Sequence, residues 1–363
     1  FGRVGIVGAG QLGRMMALAG VPLGLRCTFL DRTADTPGAQ VAPTLLGGLD
    51  DPELLARLAE RSDVLTFDWE NVPAAALTPL AGRVAIRPPP SALDVSQDRL
   101  SEKALFARLK IPVTAHCAVD GRPQLERALS TVGLPGVLKT RRLGYDGKGQ
   151  CVIRAEADLD AACAELGTSG LIYEKFQPFS REVSLVGVRG ADGRCVYYPL
   201  SANTHGGGIL RYGLAPYRNA SLERLARTYM RRVLEALDYV GVLAIEFFVV
   251  RGRLLANEMA PRVHNSGHWT IEGCVTSQFE NHLRAICGLP LGSTRPLGHT
   301  AMINFLGSLP DIERLLAIDG LAYHDYGKTA RPGRKLGHCT ILRATATERD
   351  SALRNALRCV SWT

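Results

Sequence analysis

Val242-Leu243-Ala244-Ile245-Glu246-Phe247-Phe248 sets one carboxylate inside an apolar run, and Leu254-Leu255-Ala256-Asn257-Glu258-Met259 sets a second at the end of the next. A buried carboxylate is costly unless it is paired or binds a cation. The short turn Arg251-Gly252-Arg253 between the runs makes them an antiparallel hairpin, which can bring both acids to one face. Two such carboxylates can share a Mg²⁺ that also bridges nucleotide phosphates. Paired salt bridges to arginine are the other reading of the same residues.

Directly after the second acid comes Ala260-Pro261-Arg262-Val263-His264-Asn265-Ser266-Gly267-His268-Trp269. Its Arg, Asn and two His offer donors to a small oxyanion and a carrier for a proton. Upstream, Lys139-Thr140-Arg141-Arg142-Leu143-Gly144-Tyr145-Asp146-Gly147-Lys148-Gly149 joins a strand-borne lysine to a loop whose glycines let backbone N–H groups approach phosphates. The loop lacks G-x-x-x-x-G-K-[ST], so a P-loop fold is excluded.

At the other end of the chain, Gly8-Ala9-Gly10-Gln11-Leu12-Gly13 is a G-x-G-x-x-G between a strand and a helix, with Asp31 at the end of the next strand. Alone, it reads as a dinucleotide dehydrogenase. Apolar runs at 25–30 and 64–67 with a helical pattern at 52–59 continue a parallel βα alternation, which should close at Arg87-Pro88-Pro89-Pro90. A small mixed region follows to about Glu182, then hairpin-forming strands, then a tail with the basic turn Arg331-Pro332-Gly333-Arg334-Lys335.

The chain has 363 residues, 46% hydrophobic and 21% charged, which allows two or three ordinary globular domains. Its most apolar stretch, 240–250, is too short to span a bilayer and is broken by Glu246. Nine cysteines without a C-x-x-C pair remove zinc and dithiol readings and are expected to be reduced. The net charge of +8 is dispersed, without a basic tract, so a small polyanionic substrate fits it better than nucleic acid. No charged region precedes an apolar one at the start, and the expected compartment is the cytoplasm.

Together these segments resemble the ATP-grasp superfamily and, within it, the family of N5-carboxyaminoimidazole ribonucleotide synthetases. The resemblance rests on 8–14, Asp98-Arg99, 144–150, 182–186, 206–211, 257–270 and 331–338 and covers essentially the whole chain. It implies an α/β and α+β ATP-grasp fold. A Rossmann-like parallel-sheet domain would span 1–95, a small lid domain 96–182, an antiparallel-sheet domain with the metal site 183–290 and a C-terminal extension packing on it 291–363. The implied reaction is ATP- and bicarbonate-dependent carboxylation of aminoimidazole ribonucleotide through carboxyphosphate, in purine biosynthesis.

Carried over by resemblance, ATP would contact Arg99, Lys139, Gly144, Tyr145, Asp146, Gly147, Lys148, Gly149, Gln150, Glu174, Lys175, Phe176, Gln177, Glu182, His205, Asn257 and Glu258, with Glu174 and its neighbours accepting from the adenine amino group and Glu182 holding the ribose. Glu246 and Glu258 would hold one or two Mg²⁺ ions. The ribonucleotide would meet Gln11, Leu12, Glu70, Tyr145, Asp146, Lys148, Arg331, Arg334 and Lys335, with the glycine loop of the first domain facing it. Lys139, Arg262, His264 and Asn265 would serve catalysis. Asp68 stands where the family has Glu. A homodimer is expected, without nucleic-acid or membrane partners. The competing readings are another ATP-grasp ligase, such as a formate-dependent glycinamide ribonucleotide transformylase, an NAD-dependent dehydrogenase, and a non-catalytic nucleotide-binding module.

Overall fold

The computed structural model describes residues 2–144 and 147–362, and within them the strands form three sheets. The first is parallel and uses β1 (Arg3–Val7), β2 (Arg26–Asp31), β3 (Thr44–Leu46), β4 (Val64–Phe67) and β5 (Ala85–Ile86) in the order β3-β2-β1-β4-β5. All of β4 and four of the five residues of β1 are buried, as expected of parallel strands covered on both faces. Helix Pro52–Glu60 begins on Asp51, whose carboxylate accepts from the Glu53 and Leu54 amides, with Pro52 in its first turn. The strand order reverses between β1 and β4, and a crevice opens beyond their carboxyl ends, where such sheets receive ligands.

The second sheet is antiparallel: β6 (His116–Val119), β7 (Gly136–Thr140), β8 (Gln150–Ile153) and β9 (Leu171–Lys175), in the order β6-β9-β7-β8. It has its own core, with Leu125, Leu129, Leu138, Ile153 and Tyr173 in contact. The β7–β8 connection is the glycine-rich segment.

The third sheet contains nine strands: β10 (Arg181–Arg189), β11 (Cys195–Tyr197), β12 (Ser201–Gly206), β13 (Ile209–Ala215), β14 (Gly241–Val250), β15 (Arg253–Ala260), β16 (His299–Leu306), β17 (Leu321–Asp325) and β18 (Lys335–Arg343). Its path is β15-β14-β10-β12-β13-β16-β18-β17, with β11 paired to β10. The strands after residue 290 extend this sheet edge-on, through pairs from Tyr212↔Ile303 to Ala215↔Thr300.

Side-chain alternation along β14 places the acid. Leu243, Ile245 and Phe247 pack against Tyr229, Met230 and Val233 of helix Ala220–Ala236. Val242 and Ala244 pack on the opposite face, with Phe279 and Leu283 of helix Gln278–Ile286. Glu246 continues that second face past the helix, where cover ends and a cavity begins. Lys335, at the start of β18, is five strands from β14 along the path. In a flat sheet that would be roughly 24 Å at ~4.8 Å per strand. Lys335 and Glu246 nevertheless line one cavity, so the sheet is strongly curled.

Candidate active site

Two cavities meet at this curled face. One, of about 670 Å³, lies between the switch point of the parallel sheet and the basic turn. The other, of about 280 Å³, lies between the small sheet and the nine-stranded one. Arg99, Lys148, Glu258, His264, Asn265 and Lys335 line both and form the shared wall.

In the smaller cavity Lys139 comes from β7 and Glu174 from β9, on the same face because Val137 is the register partner of Glu174. Lys139 Nζ donates to Glu174 Oε2 at 2.8 Å, while Lys103 Nζ lies 3.1 Å from Oε1. Burial would raise the Glu174 carboxyl, but Lys139, Lys103 and Arg99 outweigh it and hold it down at about 2. Both carboxylate oxygens are turned onto lysines, one on each. Lys103 was not singled out from the sequence, although it stands four residues after Arg99 on one helix.

Lys175, Phe176 and Gln177 line the same cavity; Lys175 Nζ donates to Leu134 O at 2.9 Å and Gln177 Nε2 to Thr114 Oγ1 at 2.6 Å. Phe179 and Phe248, also unforeseen, stack at 4.7 Å and give an apolar wall suited to a purine ring. Glu182 accepts from His205 Nδ1 at 2.7 Å; burial, the largest single effect, lowers His205, but this bond together with the charges of Glu246, Glu182 and Glu258 outweighs it and leaves His205 raised. Of the lid loop, Gly147, Lys148 and Gln150 line the smaller cavity and Gly144 and Lys148 the larger. Gly149 lines neither; its φ of +69° shapes the hairpin, where a Cβ would lie 2.6 Å from Thr140 Oγ1. Tyr145 and Asp146 lie outside the described residues.

Glu246 and Glu258 are direct cross-strand partners, with a bulge just beyond Glu246. Burial and then the charge of Glu258 push Glu246 up to about 7. Glu258 Oε2 lies 3.3 Å from Arg99 Nη1, and the neighbouring Asn257 has a buried Oδ1 without a hydrogen-bond partner. Two carboxylates that repel each other beside an unsatisfied amide oxygen form a hard-oxygen set that fits Mg²⁺. Among the described residues no group of three or more His, Cys, Asp or Glu is placed to hold an ion, so phosphate and water oxygens would complete the shell.

Around the larger cavity, Arg262 Nε binds Glu70 Oε2 and ties the loop after β15 to the loop after β4. Burial alone would raise Glu70; Arg262 reverses this and holds it low. His264 Nδ1 accepts from the Ser266 amide at 3.3 Å, which leaves the ring proton on Nε2, 3.6 Å from Glu246 Oε1. Burial, Arg262, Lys335 and His205 keep this imidazole well below the usual histidine range and therefore neutral. Both polar atoms of the Asn265 side chain are buried without partners at the shared wall. Arg331, Arg334 and Lys335 line the cavity as expected, joined by Lys328, whose Nζ donates to Gln11 Oε1 at 3.2 Å. Gln11 and Leu12 line it too.

The glycine loop is where a dinucleotide reading fails. β1 and β4 are adjacent with Val7 opposite Phe67, so the residues that follow, Gly8 and Asp68, meet. Asp68 Oδ2 accepts from Gly10 N at 2.6 Å and Gly13 N at 3.4 Å, and Asp31 Oδ2 accepts from Ala9 N at 2.8 Å. A Cβ at Gly8, where φ is +93°, would collide with Asp68 Oδ1. The helix terminus that would take a pyrophosphate already holds the chain's own carboxylate. The loop does face the larger cavity, through Gly8, Gly10, Gln11 and Leu12, but with the Ala9, Gly10 and Gly13 amides satisfied internally.

Residues 1–97 match the ribonucleotide synthetase preATP-grasp domain family, 104–279 the ATP-grasp domain family and 300–352 the phosphoribosylaminoimidazole carboxylase C-terminal domain family. The chain is 50% identical over 339 residues to the N5-carboxyaminoimidazole ribonucleotide synthase of Pseudomonas aeruginosa, covering 93% of this chain and 94% of that one. It resembles the solved N5-carboxyaminoimidazole ribonucleotide synthetase of Thermus thermophilus with a TM-score of 0.95 and 50% identity, over 99% of each chain. It also resembles the Aspergillus clavatus synthase solved with ADP and 5-aminoimidazole ribonucleotide, with a TM-score of 0.92 and 30% identity over 98% of each chain.

Proposed function

The chain belongs to the N5-carboxyaminoimidazole ribonucleotide synthase family of ATP-grasp ligases, and from that premise we propose how its two cavities divide the reaction. ATP occupies the smaller cavity and aminoimidazole ribonucleotide the larger, with bicarbonate at the shared wall. The observation that carries this reading is the wall itself, where Arg99, Lys148, Glu258, His264, Asn265 and Lys335 face both compartments. An intermediate made on one side is thereby presented to the other without crossing water.

A bicarbonate oxygen attacks the γ-phosphorus, the bond to the ADP oxygen breaks, and carboxyphosphate forms. Its carbon–oxygen bond to the phosphoryl group then breaks, and the exocyclic nitrogen of the ribonucleotide bonds to the carbon while losing a proton. Mg²⁺, held by Glu246 and Glu258, would supply positive charge opposite the transferred phosphoryl. Lys139 and Lys148 neutralise phosphate oxygens, and the Nη and amide donors of Arg262 and Asn265 bind the carboxylate. His264 presents an N–H from Nε2 in this tautomer, so it acts as a donor rather than a base. The amine proton then passes to the phosphate released beside it. The loop around Gly147 and Lys148 covers the site against hydrolysis of the labile anhydride, from a base fixed where Arg141 Nη2 meets Asp98 Oδ2 at 2.7 Å.

The ribonucleotide phosphate lies on Arg331, Arg334 and Lys335. Division of the chain at residues 95, 182 and 290, a homodimeric assembly and a cytoplasmic setting belong to the same proposal. No helix among the described residues is long and apolar enough to cross a membrane. Phosphate release from ATP, measured with and without aminoimidazole ribonucleotide at saturating bicarbonate, tests the reading. Strong stimulation by the ribonucleotide is expected, and release indifferent to it would reject the joined-cavity arrangement.

A further inference from the structure

Lys103 does no work that the proposed reaction assigns, yet its side chain is 1% exposed. It lies on helix Arg99–Arg108 and lines neither cavity. Among the described residues its ammonium has no hydrogen-bond partner of good geometry, and its salt-bridge contact is Glu174 Oε1 at 3.1 Å. An ammonium buried so completely is a standing cost unless its charge is used. Glu174 is the carboxylate that also holds Lys139, through its other oxygen.

The two lysines are not equivalent. Lys139 lines the nucleotide cavity with Glu174, whereas Lys103 does not line it. When Lys139 turns its ammonium to a phosphate, the Glu174 carboxylate loses the hydrogen bond it accepts from Lys139, inside a wall where an unpaired carboxylate is strongly disfavoured. Arg99 contributes to the field at Glu174, but its guanidinium is already engaged by Glu258. We infer that Lys103 is a positioning residue for nucleotide binding: it stays as the counter-ion of Glu174 and so frees Lys139 to leave that carboxylate for the phosphates. The inference rests on the ATP reading of the smaller cavity.

The test compares Mg-ADP affinity by calorimetry, and the KM values of both substrates, in the wild type, Lys103→Met, Lys103→Arg and Lys103→Met/Glu174→Gln. Methionine keeps the length and removes the charge. Lys103→Met should weaken Mg-ADP binding roughly ten- to a hundredfold and raise the ATP KM likewise. The ribonucleotide KM should stay within about twofold, because Lys103 does not line that cavity. Lys103→Arg should retain affinity. The double variant should recover most of the loss, since it no longer contains a carboxylate needing a counter-ion. Unchanged Mg-ADP affinity in Lys103→Met overturns the inference, and so does a double variant that binds no better than the single one, which would make the loss structural. If Lys103→Met does not fold, the folded double variant decides: near-wild-type affinity supports the inference and weak binding rejects it. A wild type that fails to bind Mg-ADP overturns the ATP reading itself and the inference with it.

Discussion

Glu246 keeps its proton up to about 7, against an ordinary 4.5, because burial and Glu258 both oppose its charge. The folded chain therefore binds a proton that the unfolded chain has released over that interval, and stability from this group falls as pH rises from about 4.5 to about 7. Relative to the wild type, Glu246→Gln should gain stability across that window while losing Mg²⁺-dependent turnover by orders of magnitude. Denaturant titrations of both proteins below and above the window check the sign; a pH-independent difference would assign the proton elsewhere. The basic turn divides at the same scale. Arg331 lines the larger cavity alone, whereas Lys335 lines both. Arg331→Ala should raise the ribonucleotide KM, roughly tenfold for one charged contact, and leave kcat intact. Lys335→Ala should raise that KM and lower kcat together. Steady-state kinetics in both substrates separates the two, and equal effects would contradict the cavity assignment. Glu246, Glu258 and His264 were legible in the sequence because charged groups in or beside apolar strands demand a reason. Lys103 was not, because its meaning depends on a partner 71 residues away, on β9 of the small sheet.

At the scale of elements, the glycine loop shows how a local pattern is overruled by strand order. The G-x-G-x-x-G and the acid after the next strand are read correctly as a βα unit, but what fills the helix terminus depends on β4 lying beside β1. That adjacency delivers Asp68, which is pushed up to about 7 by burial despite its two amide bonds. Removing it in Asp68→Ala should leave the Gly10 and Gly13 amides without an acceptor and cost about 1–3 kcal/mol, read by chemical denaturation. NADH should not bind the wild type in calorimetry; saturable binding would restore the dehydrogenase reading. The parallel sheet and the β14–β15 hairpin were visible as periodicity and turn chemistry, and the connection after Lys139 as a glycine-rich loop. The joining of β16 to β13 was not, since residues 209–215 and 299–306 carry no local mark of pairing across so long a separation.

For the whole molecule, that joining makes the last strands part of the same sheet. A chain ended at residue 290 would expose the edge of β13 and remove the whole cluster of Phe305, Ile341 and Leu353 against which Tyr212 and Leu214 pack. It should lose its near-ultraviolet circular dichroism and self-associate, whereas a sharp native-like melt would show that the preceding strands stand alone. The curl of the sheet has a further effect. Because it, and no loop, sets how far Lys335 stands from Glu246, the molecule carries a rigid caliper whose jaws are a cation at one tip and a carboxylate pair at the other. With the ribonucleotide phosphate on Lys335, as proposed, an acceptor would be gauged by its length from phosphate to amine before any atom of its base is inspected. Analogues shortened or extended by one bond would fail on span alone.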